Sequence, residues 1–156
     1  MDTQNSAAIE SAERELVITR IFDAPRELVF KAWTDPAHLV HWFGPRGFSL
    51  PSCKLDSRPA GNWRCCMLSP EGREHWVRGT FREIVEPERL VFSWAHENPN
   101  GTLEHETLVA VTLVDLGGKT KLTLRHAIFE SIPARDEHHN GWTSSLERLA
   151  EYLAVI

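Results

Sequence analysis

Asn140-Gly141-Trp142-Thr143-Ser144-Ser145-Leu146-Glu147-Arg148-Leu149-Ala150-Glu151-Tyr152-Leu153 closes the chain and decides how the rest is read. Trp142, Leu146, Leu149 and Leu153 recur at intervals of four, three and four residues. That repeat lines side chains along one stripe of an α-helix and turns Glu147, Arg148 and Glu151 toward water. Ahead of it, nearly everything between residues 47 and 128 carries the alternation and turn punctuation of strands. A long apolar stripe beside so many strands has to bury against the sheet they form. A helix laid across a curved antiparallel sheet is in turn a geometry that encloses a pocket.

Working back from the helix, Ser131 or Asp136 is the candidate cap at its start. Glu106 to Asp115 and Lys119 to Ile128, joined through Gly117-Gly118, predict a hairpin. Asn98-Pro99-Asn100-Gly101 predicts a loop, and Glu86-Pro87-Glu88 divides strands at His75 to Val85 and Arg89 to His96. Gly61 to Leu68 and Ser52 to Ser57 are further strands, separated by Arg58-Pro59-Ala60-Gly61. At the front, Glu15 to Phe22 is apolar and β-branched and stops at Asp23-Ala24-Pro25, where Asp23 is a candidate N-cap. Leu28, Val29, Ala32 and Trp33 then recur at helical spacing; Thr34-Asp35-Pro36 breaks that run, and a second short helix carries Leu39, Val40, Trp42 and Phe43 up to Gly44-Pro45. The order predicts one α+β domain over residues 14–156, preceded by a flexible tail at 1–13.

At 156 residues the chain can bury a core without disulfides or metals. Six Trp and seven Phe demand an interior or a ligand to receive their rings. A formal charge of −5, with no run of Lys and Arg, argues against nucleic acid as a partner. Cys53, Cys65 and Cys66 are odd in number and two are adjacent, which is no disulfide framework and points to a reduced, cytoplasmic setting. No stretch reaches the roughly 18 apolar residues of a membrane span, and no secretory signal opens the chain.

Asp23-Ala24-Pro25, Ala32-Trp33-Thr34-Asp35-Pro36, Trp42-Phe43-Gly44-Pro45, Asp56-x-Arg58-Pro59-Ala60-Gly61-x-Trp63, Pro87-x-Arg89-Leu90 and Gly141-Trp142-x-x-x-Leu146-x-x-Leu149 together resemble the Hsp90 ATPase activator homologue family, from about residue 14 to the end. That family belongs to the START-like, Bet v 1-like superfamily. Ala60 stands where the family usually has the first of two glycines. The resemblance implies the helix-grip fold, a curved antiparallel sheet wrapped around the C-terminal helix with a cavity between them. It implies a small hydrophobic or amphipathic ligand. An Hsp90-type chaperone is an alternative partner, and a cyclase or hydrolase activity in the same cavity a third reading.

Within that frame, Trp63, Cys65 and Met67 share one strand face, as do Leu90, Phe92 and Trp94, and Leu122, Leu124 and His126. Such faces suit a packed core or a lined pocket, and for any single member plain core is the commoner role. Trp63, Cys65, Met67, Phe92, Trp94, Leu124, His126, Gly141 and Trp142 form the candidate ligand-binding set. Gly141 draws notice because glycine inside a helix costs about 1 kcal/mol against alanine; it either leaves room beside Trp142 or admits a close neighbour. No cofactor is expected. Among eight histidines, His138 and His139 point about 100° apart on a helix, and His105-Glu106-Thr107-Leu108-Val109 lacks a second histidine, so no metal site is expected. His126, or His105 between Glu104 and Glu106, is the only acid–base candidate, each also readable as a satisfied or solvated histidine. Arg58, Arg64 and Asp56 fit surface ion pairs better than a pocket rim.

Overall fold

In the computed structural model, residues 12–156 are described. Seven antiparallel strands form one sheet: β1 (Leu16–Phe22), β2 (Ser49–Leu55), β3 (Asn62–Leu68), β4 (Glu74–Val85), β5 (Arg89–His96), β6 (Thr107–Asp115) and β7 (Thr120–Ala127). Their order across the sheet is β1-β7-β6-β5-β4-β3-β2. Helices α1 (Arg26–Thr34) and α2 (Pro36–Leu39) follow β1, and α3 (Ile132–Leu153) ends the chain. Chain order and sheet match the helix-grip expectation.

The sheet bends because its pairing is interrupted. The β4–β5 register shifts between Phe81 and Glu83, and the β2–β3 register between Ser49 and Ser52, and each extra residue kinks its strand and increases the local twist. The concave face carries Leu16 and Phe22 from β1, Val109 and Val111 from β6, and Leu122 and Leu124 from β7, all buried. Trp142, Leu146, Leu149 and Leu153 of α3 are buried against this face, each contributing roughly 1.5–3 kcal/mol of apolar burial.

Several local expectations change. Asp23 does not cap α1, whose N-cap is Pro25 without a side-chain bond; Pro25 already fixes an extended entry. Asp35 caps α2 instead, accepting from the Ala37 N–H at 2.9 Å. The second helix ends at Leu39, so Trp42 and Phe43 stand beyond it. Ser131, not Asp136, caps α3 by accepting from the Ala134 N–H at 3.2 Å. Arg148 does not face solvent freely: its Nη1 donates to the carbonyls of Gly44 and Pro45 at 2.9 and 3.2 Å. The tail expected at 1–13 lies outside the described residues as far as residue 11. At its end, the Glu13 carbonyl accepts from Arg135 Nη1 at 2.7 Å.

Candidate functional site

The segment Phe43–Phe48 has no helical or strand repeat of its own, and α3 holds it in place. Ser145 Oγ accepts from the Gly44 N–H at 3.0 Å and Ser144 Oγ from the Arg46 N–H at 2.8 Å. The Arg46 guanidinium forks onto Glu151 at 2.8 and 3.2 Å. With Arg148 on two carbonyls, four α3 side chains bond one short loop. Gly44 and Gly47 take positive φ of 103° and 91°, the left-handed conformation that glycine adopts without steric cost.

The stitched loop stands off from the sheet and leaves a cavity of about 300 Å³. Phe43, Gly44, Pro45 and Phe48 form its loop wall, and Met67 of β3 and Trp94 of β5 its floor. Gly141, Trp142 and Ser145 form its helix wall, and His75, His96, Glu137 and His138 make its polar end. Trp94 is the hub of the aromatic packing, with ring centroids 5.9 Å from Phe43, 5.5 Å from Trp63 and 5.5 Å from Trp142. Such contacts are offset or tilted, as ring quadrupoles favour. A Cβ added at Gly141 would meet only Pro45 Cγ at 3.8 Å, an ordinary contact. The glycine is therefore not required by a close neighbour, and the space beside it belongs to the cavity.

Behind Trp142 lies a closed chain of hydrogen bonds. The indole N–H of Trp142 donates to His126 Nδ1 at 3.0 Å. That leaves the proton of neutral His126 on Nε2, which donates to Thr107 Oγ1 at 2.6 Å, and the Thr107 hydroxyl donates to the Trp94 carbonyl at 3.2 Å. Both ring nitrogens of His126 are thus engaged, and burial, then the nearby His138 and His96, push its pKa well below the ordinary histidine value. A neutral imidazole with no vacant lone pair has little capacity as a general base. His126 fixes the orientation of Trp142.

At the cavity mouth, His138 Nδ1 lies 2.8 Å from the Ala134 carbonyl, which can only accept. With Nδ1 donating there, His138 Nε2 is left to accept, and His96 Nε2 donates to it at 3.0 Å. The Trp94 indole nitrogen sits 3.4 Å from the same His96 nitrogen, too far for a strong bond. Burial, then His138 and His75, lower the pKa of His96 to about 4. Near pH 7 the polar end therefore presents a neutral His96, and the exposed Glu137 lines the same cavity.

Of the nine residues expected to bind ligand, Met67, Trp94, Gly141 and Trp142 meet at this cavity. Trp63, Cys65 and Phe92 line a separate crevice of about 30 Å³ under Trp33, Leu39 and Phe81. That is the space of roughly one water, so these three behave as core. Leu124 is fully buried and His126 sits behind Trp142. Phe43, Phe48, His75, His96 and His138 line the cavity without having been expected there from the sequence. His138 left a signal, because it precedes Trp142 by four residues and so shares its helix stripe; the loop residues left none. Arg58 pairs with Asp56 on the surface, as expected, and Arg64 pairs with Glu97 while its guanidinium lies 3.8 Å from the Trp76 ring centroid. Among the described residues no group of three or more His, Cys, Asp or Glu is placed to hold a metal. No described helix is long and apolar enough to cross a membrane.

The profile of the Activator of Hsp90 ATPase homolog 1-like family matches residues 23–154. The chain belongs to that family. Like this family member, an AHSA1 protein from Silicibacter pomeroyi has the same fold, with a TM-score of 0.82 and 29% identity over 90% of this chain and 98% of the other. A protein from Nitrosomonas europaea superposes with a TM-score of 0.77 and 27% identity, over 92% and 96% of the two chains. CalU16 from Micromonospora echinospora gives 0.67 and 26% over 90% and 76%. No protein of curated function matches the family member described here.

Proposed function

We propose that this family member binds a small apolar or amphipathic molecule in the cavity between α3, the Phe43–Phe48 loop and the concave sheet. The observation that carries the reading is the space itself: about 300 Å³ stays open among Phe43, Met67, Trp94 and Trp142, although large side chains fill the rest of the interior. That volume stands at the small end of known ligand pockets, which run from about 300 to 1,000 Å³, and its apolar walls with a few polar groups at one end match their usual chemistry. The apolar body of the ligand packs on Trp94 and Trp142, and its polar group lies toward His96, His138 and Glu137.

The test is mass spectrometry of compounds extracted from natively purified protein, alongside titration with an apolar fluorescent dye. A bound compound, or dye binding lost in Gly141→Leu with the fold intact, supports the reading. Repeated absence of both removes it. The family's name favours a second reading, an Hsp90 partnership. Stimulation of Hsp90 ATPase by the purified protein supports that one, and an unchanged rate argues against it without touching the first.

A further inference from the structure

The three cysteines fall on two faces of the β2–β3 pair. Cys65 is buried on the concave side with Trp63 and Met67, and its chain neighbour Cys66 points to the opposite face. Cys53 lies directly across from Cys65 in the β2–β3 register. The Asp56 N–H donates to the Asn62 carbonyl at 2.9 Å. Antiparallel ladders alternate hydrogen-bonded and non-hydrogen-bonded pairs, so this bond three positions on marks Cys53–Cys65 as a non-hydrogen-bonded pair, the kind with the shorter Cα–Cα separation and side chains closest together. Cys65 Sγ accordingly lies 3.4 Å from Cys53 Sγ. β2 is an edge strand, its register shifts between Ser49 and Ser52 just before Cys53, and Cys53 is only half-buried.

We propose that Cys53 and Cys65 form an oxidative modification site, at which a peroxide converts the two thiols into a cross-strand disulfide tying β2 to β3. The pairing fits disulfide stereochemistry without moving either strand far, since opposed residues of such a pair hold their Cβ atoms near the separation a disulfide spans. Cys53 reacts first because it is the accessible member, and the S–H of Cys65 donated to its sulfur favours its thiolate. The Cys53 sulfur attacks one peroxide oxygen, the O–O bond breaks, and a sulfenic acid forms while the departing hydroxide takes up a proton as water. Cys65 then attacks that sulfur. The S–S bond forms, the S–O bond breaks, and the leaving hydroxide takes the Cys65 proton as a second water. The thiols together lose two electrons and the peroxide gains them. Cys66 is excluded by its direction and serves as the internal control.

Folded protein is exposed to a small excess of hydrogen peroxide, quenched, alkylated under denaturing conditions and mapped by peptide mass spectrometry. The expected result is a fall from three alkylatable thiols to one, with Cys66 alkylated and a peptide pair joined through Cys53 and Cys65. Cys66→Ser should still form the link and Cys53→Ser should not; the half-exposed position of Cys53 makes the latter variant the one that keeps its fold. Three thiols remaining after peroxide, over-oxidation of Cys53 without a link, or a link that includes Cys66 would each overturn the proposal.

Discussion

Ala60 and Gly61 show how one backbone torsion carries a measurable cost. Ala60 has φ of 66°, a conformation in which an L side chain crowds the following carbonyl at a cost of roughly 1–2 kcal/mol. Its N–H donates to the Phe81 carbonyl at 2.8 Å, so the turn is held in place from β4 despite the strain. Ala60→Gly removes the clash and keeps the bond, at the expense of a more flexible unfolded chain. The expected outcome is a gain of about 0.5–1 kcal/mol, read as a higher urea midpoint at unchanged slope. Gly61 is the converse case. A Cβ there would lie 2.0 Å from the Asp56 carbonyl oxygen, so Gly61→Ala should lose more than 1 kcal/mol, and an unchanged midpoint would refute the packing described for this turn. His126 is legible in the sequence as an inward residue of β7 but not as a linker, because its partners Thr107 and Trp142 come from β6 and α3. His126→Leu should cost about 2–4 kcal/mol, since both the Trp142 indole and the Thr107 hydroxyl lose a buried partner, whereas His126→Gln should recover part of it. Equal destabilisation by the two would show that the loss is one of shape rather than hydrogen bonding.

On α3, a single helix face does two jobs that are separated along its length. Leu146, Leu149 and Leu153 fill the core, while Gly141, Trp142 and Ser145 border the cavity. Gly141→Ala adds a methyl into an ordinary 3.8 Å contact and exchanges glycine for the best helix former, so a gain of up to about 1 kcal/mol is expected with dye binding kept. Gly141→Leu should leave the melting temperature near that of Gly141→Ala and abolish dye binding, because its longer side chain occupies the cavity. Parallel loss of stability and binding would show that the space is not a binding cavity. This division explains what was legible. The stripe of four apolar residues on α3 and the two-residue alternation on β3, β5 and β7 are local repeats, so the helix, the sheet and the four cavity residues on them could be read directly. The wall from Phe43 to Phe48 obeys no repeat. Its position depends on Ser144, Ser145, Arg148 and Glu151 about a hundred residues later in the chain, contacts that no local pattern encodes. The same limit applies to Arg148, whose polar identity predicts solvent and whose two carbonyl bonds appear only when the loop arrives.

Over the whole molecule, the histidines at the cavity make stability depend on pH in a direction that can be fixed in advance. His96 is held to about 4 from an ordinary value of 6.5 by burial and by His138 and His75. His126 is also held well below its ordinary value, by burial first and then by His138 and His96. Both are bases kept neutral when folded, so the unfolded chain takes up protons that the folded chain refuses as pH drops below 6.5. Their contribution is therefore fully present above pH 6.5 and is lost on acidification, for His96 between 6.5 and about 4. At about 1.4 kcal/mol per unit, the His96 part is at most roughly 3.5 kcal/mol. Glu97 and Glu151, lowered by their bonds to Arg64 and Arg46, lose stability in the same direction, but only below the ordinary carboxylate value of 4.5, and Glu151 is fully exposed. The window from 6.5 to 4.5 thus reports the histidines. Urea midpoints should be level from pH 8 to pH 7 and fall steadily from 6.5 to 4.5, and His96→Gln should flatten that fall while leaving the decline below 4.5. A midpoint that is the same at pH 8 and pH 5 would show that His96 and His126 are not shielded from protons as their burial requires. Because His96 lines the polar end of the cavity, protonating it also places positive charge where the ligand's polar group would sit, so dye affinity and stability are expected to change over the same pH interval.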